Sequence, residues 1–255
     1  MNIIIYITMF IIGALLGSFF SLAVYRIPLK KDITHERSFC PNCNHRLELL
    51  DLIPILSYIF LGGKCRYCKQ KIRSRYILLE IFSGTLFMLF YISLKIDILY
   101  LEINKLAYLL FGMFYISTLF IIGGIEKEKH YIPNSLLIFG FIISSIYIIY
   151  LYTLAHVSIY KYVIYFIFML IFIIANMLLK KEENKRYIMQ ILALCMFLEI
   201  GTEQVVVMLG VIISLLCILV TRIFDRRKEK KNIPIGFYLC TTNIILLVLT
   251  NYIIK

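Results

Sequence analysis

The sequence contains no tryptophan and few charged residues. Charged side chains make up 16% of the 255 residues, whereas hydrophobic side chains make up 61% and the mean hydropathy is +0.88. Because apolar residues make up only about half of a typical soluble domain, this composition excludes an ordinary soluble fold. Apolar runs of roughly 20 residues recur along the chain, and each is long enough to cross a bilayer. The sequence therefore predicts an all-α polytopic membrane protein that is surrounded by lipid.

About eight membrane-spanning helices are predicted, with a small four-cysteine loop domain after the first. Because the chain has no tryptophan, its 19 tyrosines must supply the aromatic side chains at the membrane interfaces. The first apolar run lacks a basic leader and a small-residue cleavage site, so it is interpreted as a retained helix and not as a signal peptide. The helices are predicted over residues 3–24, 76–94, 106–124, 135–153, 160–179, 187–200, 205–220 and 233–254.

Three domains are predicted from this pattern of apolar and polar segments. Residues 1–25 form a first transmembrane helix, residues 26–75 a cytoplasmic loop that binds zinc, and residues 76–255 a transmembrane bundle. In the first helix, Gly13 and Gly17 are four residues apart and Ser21 continues the repeat, so these small residues share a face. A second helix is expected to pack closely against that face.

The net charge of +12 is interpreted as a signal of topology and not of nucleic-acid binding. If the N-terminus lies outside and every apolar run crosses once, the loops on one side carry 23 of the 27 lysines and arginines. Such asymmetry marks the cytoplasmic side of a membrane protein. The four-cysteine loop is therefore predicted to be cytoplasmic, and no nucleic-acid partner is expected.

Two Cys-x-x-Cys motifs lie in that loop, Cys40 with Cys43 and Cys65 with Cys68. Four thiolates at this spacing are typical of one tetrahedral structural zinc site. Two disulfides, an iron–sulfur cluster or cysteines without a shared role are the alternatives, and a reducing cytoplasm makes disulfides the weaker one.

A further candidate is Glu80, because an ionisable side chain one turn inside an apolar helix marks a site unless it reaches out to the interface.

The motifs together resemble the prepilin leader peptidase family, whose members also methylate the mature pilin N-terminus. The resemblance rests on the segments Gly17-Ser18-Phe19, Arg26-Ile27-Pro28, both cysteine pairs, Ile72-Arg73-Ser74-Arg75-Tyr76 with Glu80 and Gly84, and Ile233-Pro234-Ile235-Gly236. It implies a multi-pass protein of the prokaryotic plasma membrane that cleaves leader peptides of type IV pilin-like precursors on the cytoplasmic side. It also implies S-adenosylmethionine as methyl donor, although no glycine-rich nucleotide-binding loop is visible in the chain.

The two catalytic aspartates of the family are not found at the matching positions. Counting back from Pro133 brings Glu126 to the first position, and the residue after that proline is Asn134. The second aspartate follows a Gly-x-Gly motif, but this chain has no glycine between Gly140 and Gly201. The alignment puts Tyr187 near the missing aspartate, and Glu182 or Glu183 can substitute only if the helix begins earlier.

Three functions follow from the sequence. The first is a prepilin peptidase with an unusual site that uses Glu126. The second is an inactive paralogue that binds prepilin or assists assembly of pili or a type II secretion system. The third, a transporter or channel, has little support because no inverted repeat is visible. The sequence does not indicate an oligomeric state.

Overall fold

The structure is a computed structural model that describes residues 2–33, 37–97, 102–155, 159–179, 183–202, 204–224 and 234–254. Within these ranges the regular structure is helical and no strand is formed; only two isolated β-bridges pair the ends of short turns. The predicted all-α class is therefore confirmed. Of the residues named in the sequence motifs, Glu182 and Ile233 lie outside the described residues.

Eight of the nine α-helices in these ranges are long. They are α1 (Asn2–Arg26), α3 (Arg75–Ser93), α4 (Ile103–Lys129), α5 (Asn134–Thr153), α6 (Tyr160–Leu178), α7 (Glu183–Gly201), α8 (Gln204–Phe224) and α9 (Ile235–Ile254). The short α2 (Leu56–Phe60) and two 3₁₀-helices, Ile27–Leu29 and Leu49–Leu52, lie between α1 and α3. Most bounds are within about two residues of those predicted.

Two of the predicted helix ends are wrong in a way that affects the site. Helix α4 continues five residues beyond Gly124 and ends where His130 adopts a left-handed conformation with φ 56°. Glu126 therefore lies inside the last turns of α4 and not in the following loop. Helix α7 begins at Glu183, four residues earlier than predicted, because its first turn is formed by charged residues that the apolar pattern did not include.

Six helices of the described chain are long and apolar enough to cross a membrane: α1, α3, α4, α5, α6 and α9. Helix α8 contributes a shorter apolar stretch, Val206–Thr221. Helix α7 contains four charged side chains within its 19 residues, which lowers its hydropathy. The chain is thus a multi-pass helical protein by length and composition.

The chain divides into two compact units, Met1–Ile92 and Ser93–Lys255. In the first unit α1 and α3 approach closely at glycines. A β-carbon on Gly13 would lie 2.8 Å from the Ser83 carbonyl oxygen, and one on Gly17 would lie 2.8 Å from the Ser83 side chain. The glycine-bearing face predicted for helix packing is therefore used as predicted. The three-domain division remains a prediction.

The second unit is centred on α4. Tyr115, Ile116, Leu119 and Ile122 of this helix are fully buried, and the helix packs against α5 and α9. The Tyr115 hydroxyl donates to the Asn243 carbonyl oxygen of α9 at 2.8 Å, a hydrogen bond buried between the two helices. The α4–α9 interface ends at Glu126 and Gly236, so the packing of these helices positions the Glu126 carboxylate.

Candidate functional site

The two cysteine pairs lie on two turns with the same backbone hydrogen bonds. In the first turn, the Cys40 N–H donates to the His45 carbonyl at 3.0 Å, and the Asn44 N–H donates to the Cys40 carbonyl at 2.8 Å. In the second, the equivalent bonds from Cys65 and Lys69 measure 2.9 and 3.0 Å. The residue after each second cysteine has a positive φ, 55° at Asn44 and 58° at Lys69. Each turn thus directs both of its sulfurs to one side.

The four sulfurs form one cluster, which is the group of possible metal ligands found among the described residues. The Sγ atoms of Cys40, Cys43, Cys65 and Cys68 all lie within 4.8 Å of one another. A tetrahedral zinc ion with bonds of about 2.3 Å to sulfur would hold them about 3.8 Å apart. The Cys40 and Cys68 sulfurs are 3.9 Å apart, and all four are free thiols. The cluster therefore fits a metal ion.

Local hydrogen bonds favour the thiolate form of Cys68. The backbone N–H of Gln70, followed by the side-chain amide of Asn42, lowers the pKa of the Cys68 thiol to about 6. The Asn42 amide lies 3.6 Å from the Cys68 sulfur, so it crosses from the first turn to the second. A thiolate is the form that binds a metal ion, and these donors are available to it before any metal arrives.

Asp51 connects the second cysteine turn to the 3₁₀-helix Leu49–Leu52 through hydrogen bonds. Its side chain is almost completely buried, accepts from the Arg66 guanidinium at 2.7 Å and accepts from the Tyr67 hydroxyl at 3.3 Å. Burial raises the pKa of the Asp51 carboxyl, but the hydrogen bond and charge of Arg66 outweigh it and leave that pKa below its usual value. Asp51 is therefore a charged anchor of the loop and not a candidate acid.

Glu126 is completely buried near the end of α4. Its Oε1 accepts from the Gly236 backbone N–H at 2.9 Å and from the Tyr187 hydroxyl. Gly236 lies in the first turn of α9, where backbone N–H groups have no partner within the helix and favour a negative charge. Its Oε2 is buried with no hydrogen-bond partner among the described residues. The site thus holds one carboxylate between a helix N-terminus and a phenol.

Tyr187 is the residue that the sequence resemblance puts near the missing second aspartate. It belongs to the first turns of α7 and reaches across to α4. Among the described residues, none of the hydrogen bonds of the Glu126 carboxylate is to a second carboxyl group. Glu183, at the start of α7, is exposed. The described geometry therefore pairs Glu126 with a hydroxyl.

Three side-chain amides, one each from α5, α6 and α7, form a hydrogen-bonded group. The Asn134 carbonyl oxygen accepts from the Asn176 amide at 2.6 Å and from the Gln190 amide at 3.2 Å. Asn176 and Gln190 are 1% and 4% exposed. Gln190 is one turn from Tyr187 on α7, so the amide group shares a helix face with the Glu126 partner. The sequence analysis missed Asn176 and Gln190; their only signal was an amide within a largely apolar helix.

Glu80 serves a structural contact in the described chain. Its Oε2 accepts from the Ile55 backbone N–H at 2.8 Å, and its backbone lies close to Gly17 of α1. Ile55 has φ 64° and ψ −54°, a conformation that is costly for a β-branched residue. Glu80 is half-buried, and its carboxyl group holds a strained turn of the loop close to α3.

Parts of the chain are similar in sequence to known proteins. The family model of the bacterial peptidase A24 N-terminal domain matches residues 11–94, which nearly coincides with the first compact unit. A prepilin leader peptidase/N-methyltransferase of Vibrio cholerae is 32% identical over 155 residues, covering 56% of this chain and 57% of the relative. Its Bacillus subtilis counterpart is 37% identical over 131 residues, covering 51% and 49%. No solved structure matches the chain.

Taken with the site, these matches define a class of protein and a sequence similarity within that class. The class is that of multi-pass helical membrane proteins with a four-thiol loop that fits a metal ion. Within that class, the chain is similar to prepilin leader peptidase/N-methyltransferases over about half of its length, and its residues 11–94 match the bacterial peptidase A24 N-terminal domain. It spans about half the length of the curated relatives it matches, so their activities are not transferred to it by the match alone.

Proposed function

We propose that the protein binds the leader segment of a type IV pilin-like precursor in the membrane but does not cleave it by the two-carboxylate mechanism of an aspartic peptidase. The observation that carries this proposal is the pairing of the buried Glu126 carboxylate with the Tyr187 hydroxyl. Relatives named as prepilin leader peptidases support the class of substrate.

The chemistry of an aspartic dyad explains why a phenol is a poor replacement. Two carboxylates share one proton, so one activates water while the other protonates the leaving group. A tyrosine hydroxyl with an ordinary pKa of about 10 keeps its proton at neutral pH and does not supply the second carboxylate. Loss of a general acid or base costs roughly 100- to 10,000-fold in rate. Cleavage is therefore expected to be at least about 100-fold slower than that of a two-aspartate relative.

The test is prepilin processing in cells that lack any other peptidase of this family. We expect no processed pilin with the wild-type chain or with Glu126→Gln. A precursor that carries a photo-crosslinker in its leader segment is expected to crosslink to the wild-type protein. If the wild type processes prepilin and Glu126→Gln abolishes processing, the proposed loss of cleavage is wrong.

A matched pair of variants sharpens this test. Tyr187→Asp puts a shorter side chain with a carboxyl group at the α7 position that faces Glu126, which leaves room for a water between the two acids. It is therefore expected to give measurable processing, whereas Tyr187→Phe is not. Failure of Tyr187→Asp despite normal folding would show that the α7 position is not that of the second acid.

The second candidate function is a working peptidase in which Glu126 acts with a bound water. The buried and unpartnered Oε2 atom favours it, because a free acceptor in a closed site is available to orient water. Loss of processing in Glu126→Gln, together with unchanged processing in Tyr187→Phe, would support this candidate over the first.

The metal ion, the membrane orientation and the methyl donor are further proposals. We propose that the four-thiol cluster holds a structural zinc ion, that the loop faces the cytoplasm of a prokaryotic plasma membrane, and that the N-terminus lies outside. The location of 23 of the 27 lysines and arginines in one set of loops supports this orientation. Methyl transfer from S-adenosylmethionine is proposed only from the names of the relatives. Binding of radiolabelled S-adenosylmethionine to the purified protein tests it.

A further inference from the structure

The segment between the two cysteine turns has exposed apolar side chains, and its backbone is hydrogen-bonded to α3. It runs from Leu49 to Phe60 and contains the 3₁₀-helix Leu49–Leu52, the turn at Ile55 and α2. Five of its large apolar side chains are more than half exposed: Leu49, Leu50, Leu56, Ile59 and Phe60. An apolar patch of this kind marks a contact surface and not an ordinary water-facing loop.

A hydrogen bond places the middle of this segment beside the interior of α3, and not at the end of the helix. The Ile55 N–H donates to Glu80, which lies five residues into α3, or about 7.5 Å along a helix that rises 1.5 Å per residue. On α1 the residue beside Glu80 is Gly17, whose added β-carbon would lie 3.1 Å from the Glu80 Cα, and it is nine residues, or about 13.5 Å, before the end of α1. Both helices are apolar enough to cross a membrane. The turn at Ile55 is thus level with the apolar part of both spans.

The polar and apolar side chains of the segment point to different surroundings. The Asp51 side chain is almost completely buried against Arg66 and Tyr67 of the second cysteine turn. Leu49 and Leu50, its neighbours in the same 3₁₀-helix, are 85% and 60% exposed, and Phe60 at the end of α2 is 83% exposed. The segment is therefore amphipathic, with its polar side held by the thiol turns.

We propose that the Leu49–Phe60 segment is an interfacial anchor that inserts its exposed apolar side chains into the lipid bilayer beside α1 and α3. The depth of the Ile55 turn argues for lipid as the occupant, because a surface at this level beside two spanning helices meets the boundary between headgroups and acyl chains. Lys64, Lys69 and Lys71 follow α2 within eleven residues, and anionic headgroups attract such cations. The anchor fixes the four-thiol turns at the membrane surface.

The absence of tryptophan makes a direct test possible. The full-length protein with Phe60→Trp is reconstituted in vesicles of phosphatidylcholine and phosphatidylglycerol, and quenching by lipids brominated at defined acyl positions is compared with quenching by acrylamide. We expect strong quenching by bromine near the headgroup end of the acyl chain, and weak quenching by acrylamide. Leu49→Trp, at another highly exposed position of the segment, is expected to behave in the same way.

Phe39→Trp is the matched control, because it changes the same residue type in the same loop. The Arg26 side chain at the end of α1 donates to the Arg37 carbonyl at 3.3 Å, so the chain near Phe39 lies level with the end of α1 and not beside its apolar part. This control is expected to show at least about twofold less quenching by bromine than Phe60→Trp, and more quenching by acrylamide.

Two outcomes would overturn the proposal. One is equal quenching by bromine at residues 39 and 60, which would mean that no particular segment is inserted. The other is a Trp at residue 60 that acrylamide reaches in lipid vesicles and that is protected only when a hydrophobic precursor peptide is added. That second result would assign the patch to a peptide partner instead of lipid.

Discussion

At the scale of single residues, the hydrogen bonding of the buried Glu126 carboxylate depends on a glycine at residue 236. A β-carbon on Gly236 would lie 2.6 Å from Glu126 Oε2, well inside contact distance. The glycine therefore lets the first turn of α9 approach the carboxylate closely enough for the 2.9 Å hydrogen bond from its own N–H. The buried carboxylate at residue 126 therefore requires a glycine at residue 236.

This dependence gives a prediction about Gly236→Ala. Because the added methyl group must displace either the carboxylate or α9, we expect the free energy of unfolding to fall by about 1–3 kcal/mol. Thermal unfolding of the purified protein in detergent measures the change. Gly210→Ala on α8 is the control, since a β-carbon there meets its nearest neighbour, a Leu246 methyl group, at 3.6 Å. Equal unfolding temperatures for the two variants would contradict this account of Gly236.

At the scale of elements, the pairing of α1 with α3 rests on small residues. A β-carbon on Gly17 would lie 3.1 Å from the Glu80 Cα, so the backbones of the two helices are close there, whereas Leu15 is 53% exposed on another face. We expect Gly17→Val to separate the two helices and to release the Glu80 contact with the Ile55 turn. Proteolysis of the loop should become faster in this variant.

Leu15→Val is the matched control for that experiment, because it introduces the same side chain two residues away at an exposed position. Its loop is expected to be cleaved at the wild-type rate. If Gly17→Val is also cleaved at the wild-type rate, the close approach of α1 and α3 does not hold the loop.

The cysteine turns form a second element with little apolar interior of its own. We therefore expect a metal ion to contribute most of the folding free energy of the turns, on the order of 10 kcal/mol for structural zinc. Purified protein should contain about one zinc ion per chain, and Cys40→Ser should release it and make the loop sensitive to protease. Cys217→Ser, a change at a cysteine that is not one of the four clustered thiols, should leave the zinc content unchanged. A folded, metal-free wild type would exclude the zinc site.

Much of the element scale could be predicted from the sequence, because long apolar runs set the positions of eight helices and paired cysteines set the turns. What the sequence did not predict depends on contacts between distant residues. The hydrogen bond between Gly236 and Glu126 joins positions 110 residues apart, and the amides of Asn134 and Gln190 meet only when α5 and α7 pack. The extension of α4 to Lys129 was missed because its last turn is charged and so interrupts the apolar pattern.

At the scale of the whole molecule, the distribution of charge predicts how the chain crosses the membrane. We expect a phosphatase reporter, which folds only outside the cytoplasm because it needs disulfides, to be active when fused after Lys95 and inactive when fused after Lys129. Reporter activity in cells expressing each fusion measures this. A fusion after Arg75 should match the one after Lys129, and the opposite pattern would reverse the proposed orientation of the four-thiol loop.

The two cysteine turns have the same pattern of backbone hydrogen bonds and the same left-handed residue after the second cysteine. An ion held between them would lie on a local pseudo-twofold axis, although the chain on either side has no such symmetry. The two turns consequently share one backbone scaffold, but their side chains are not interchangeable. Arg66 and Tyr67 of the second turn bind Asp51, whereas Asn42 of the first turn donates to the Cys68 sulfur. A substitution at Asn42 is therefore expected to change the surroundings of a sulfur in the other turn, even though the backbone of each turn is self-contained.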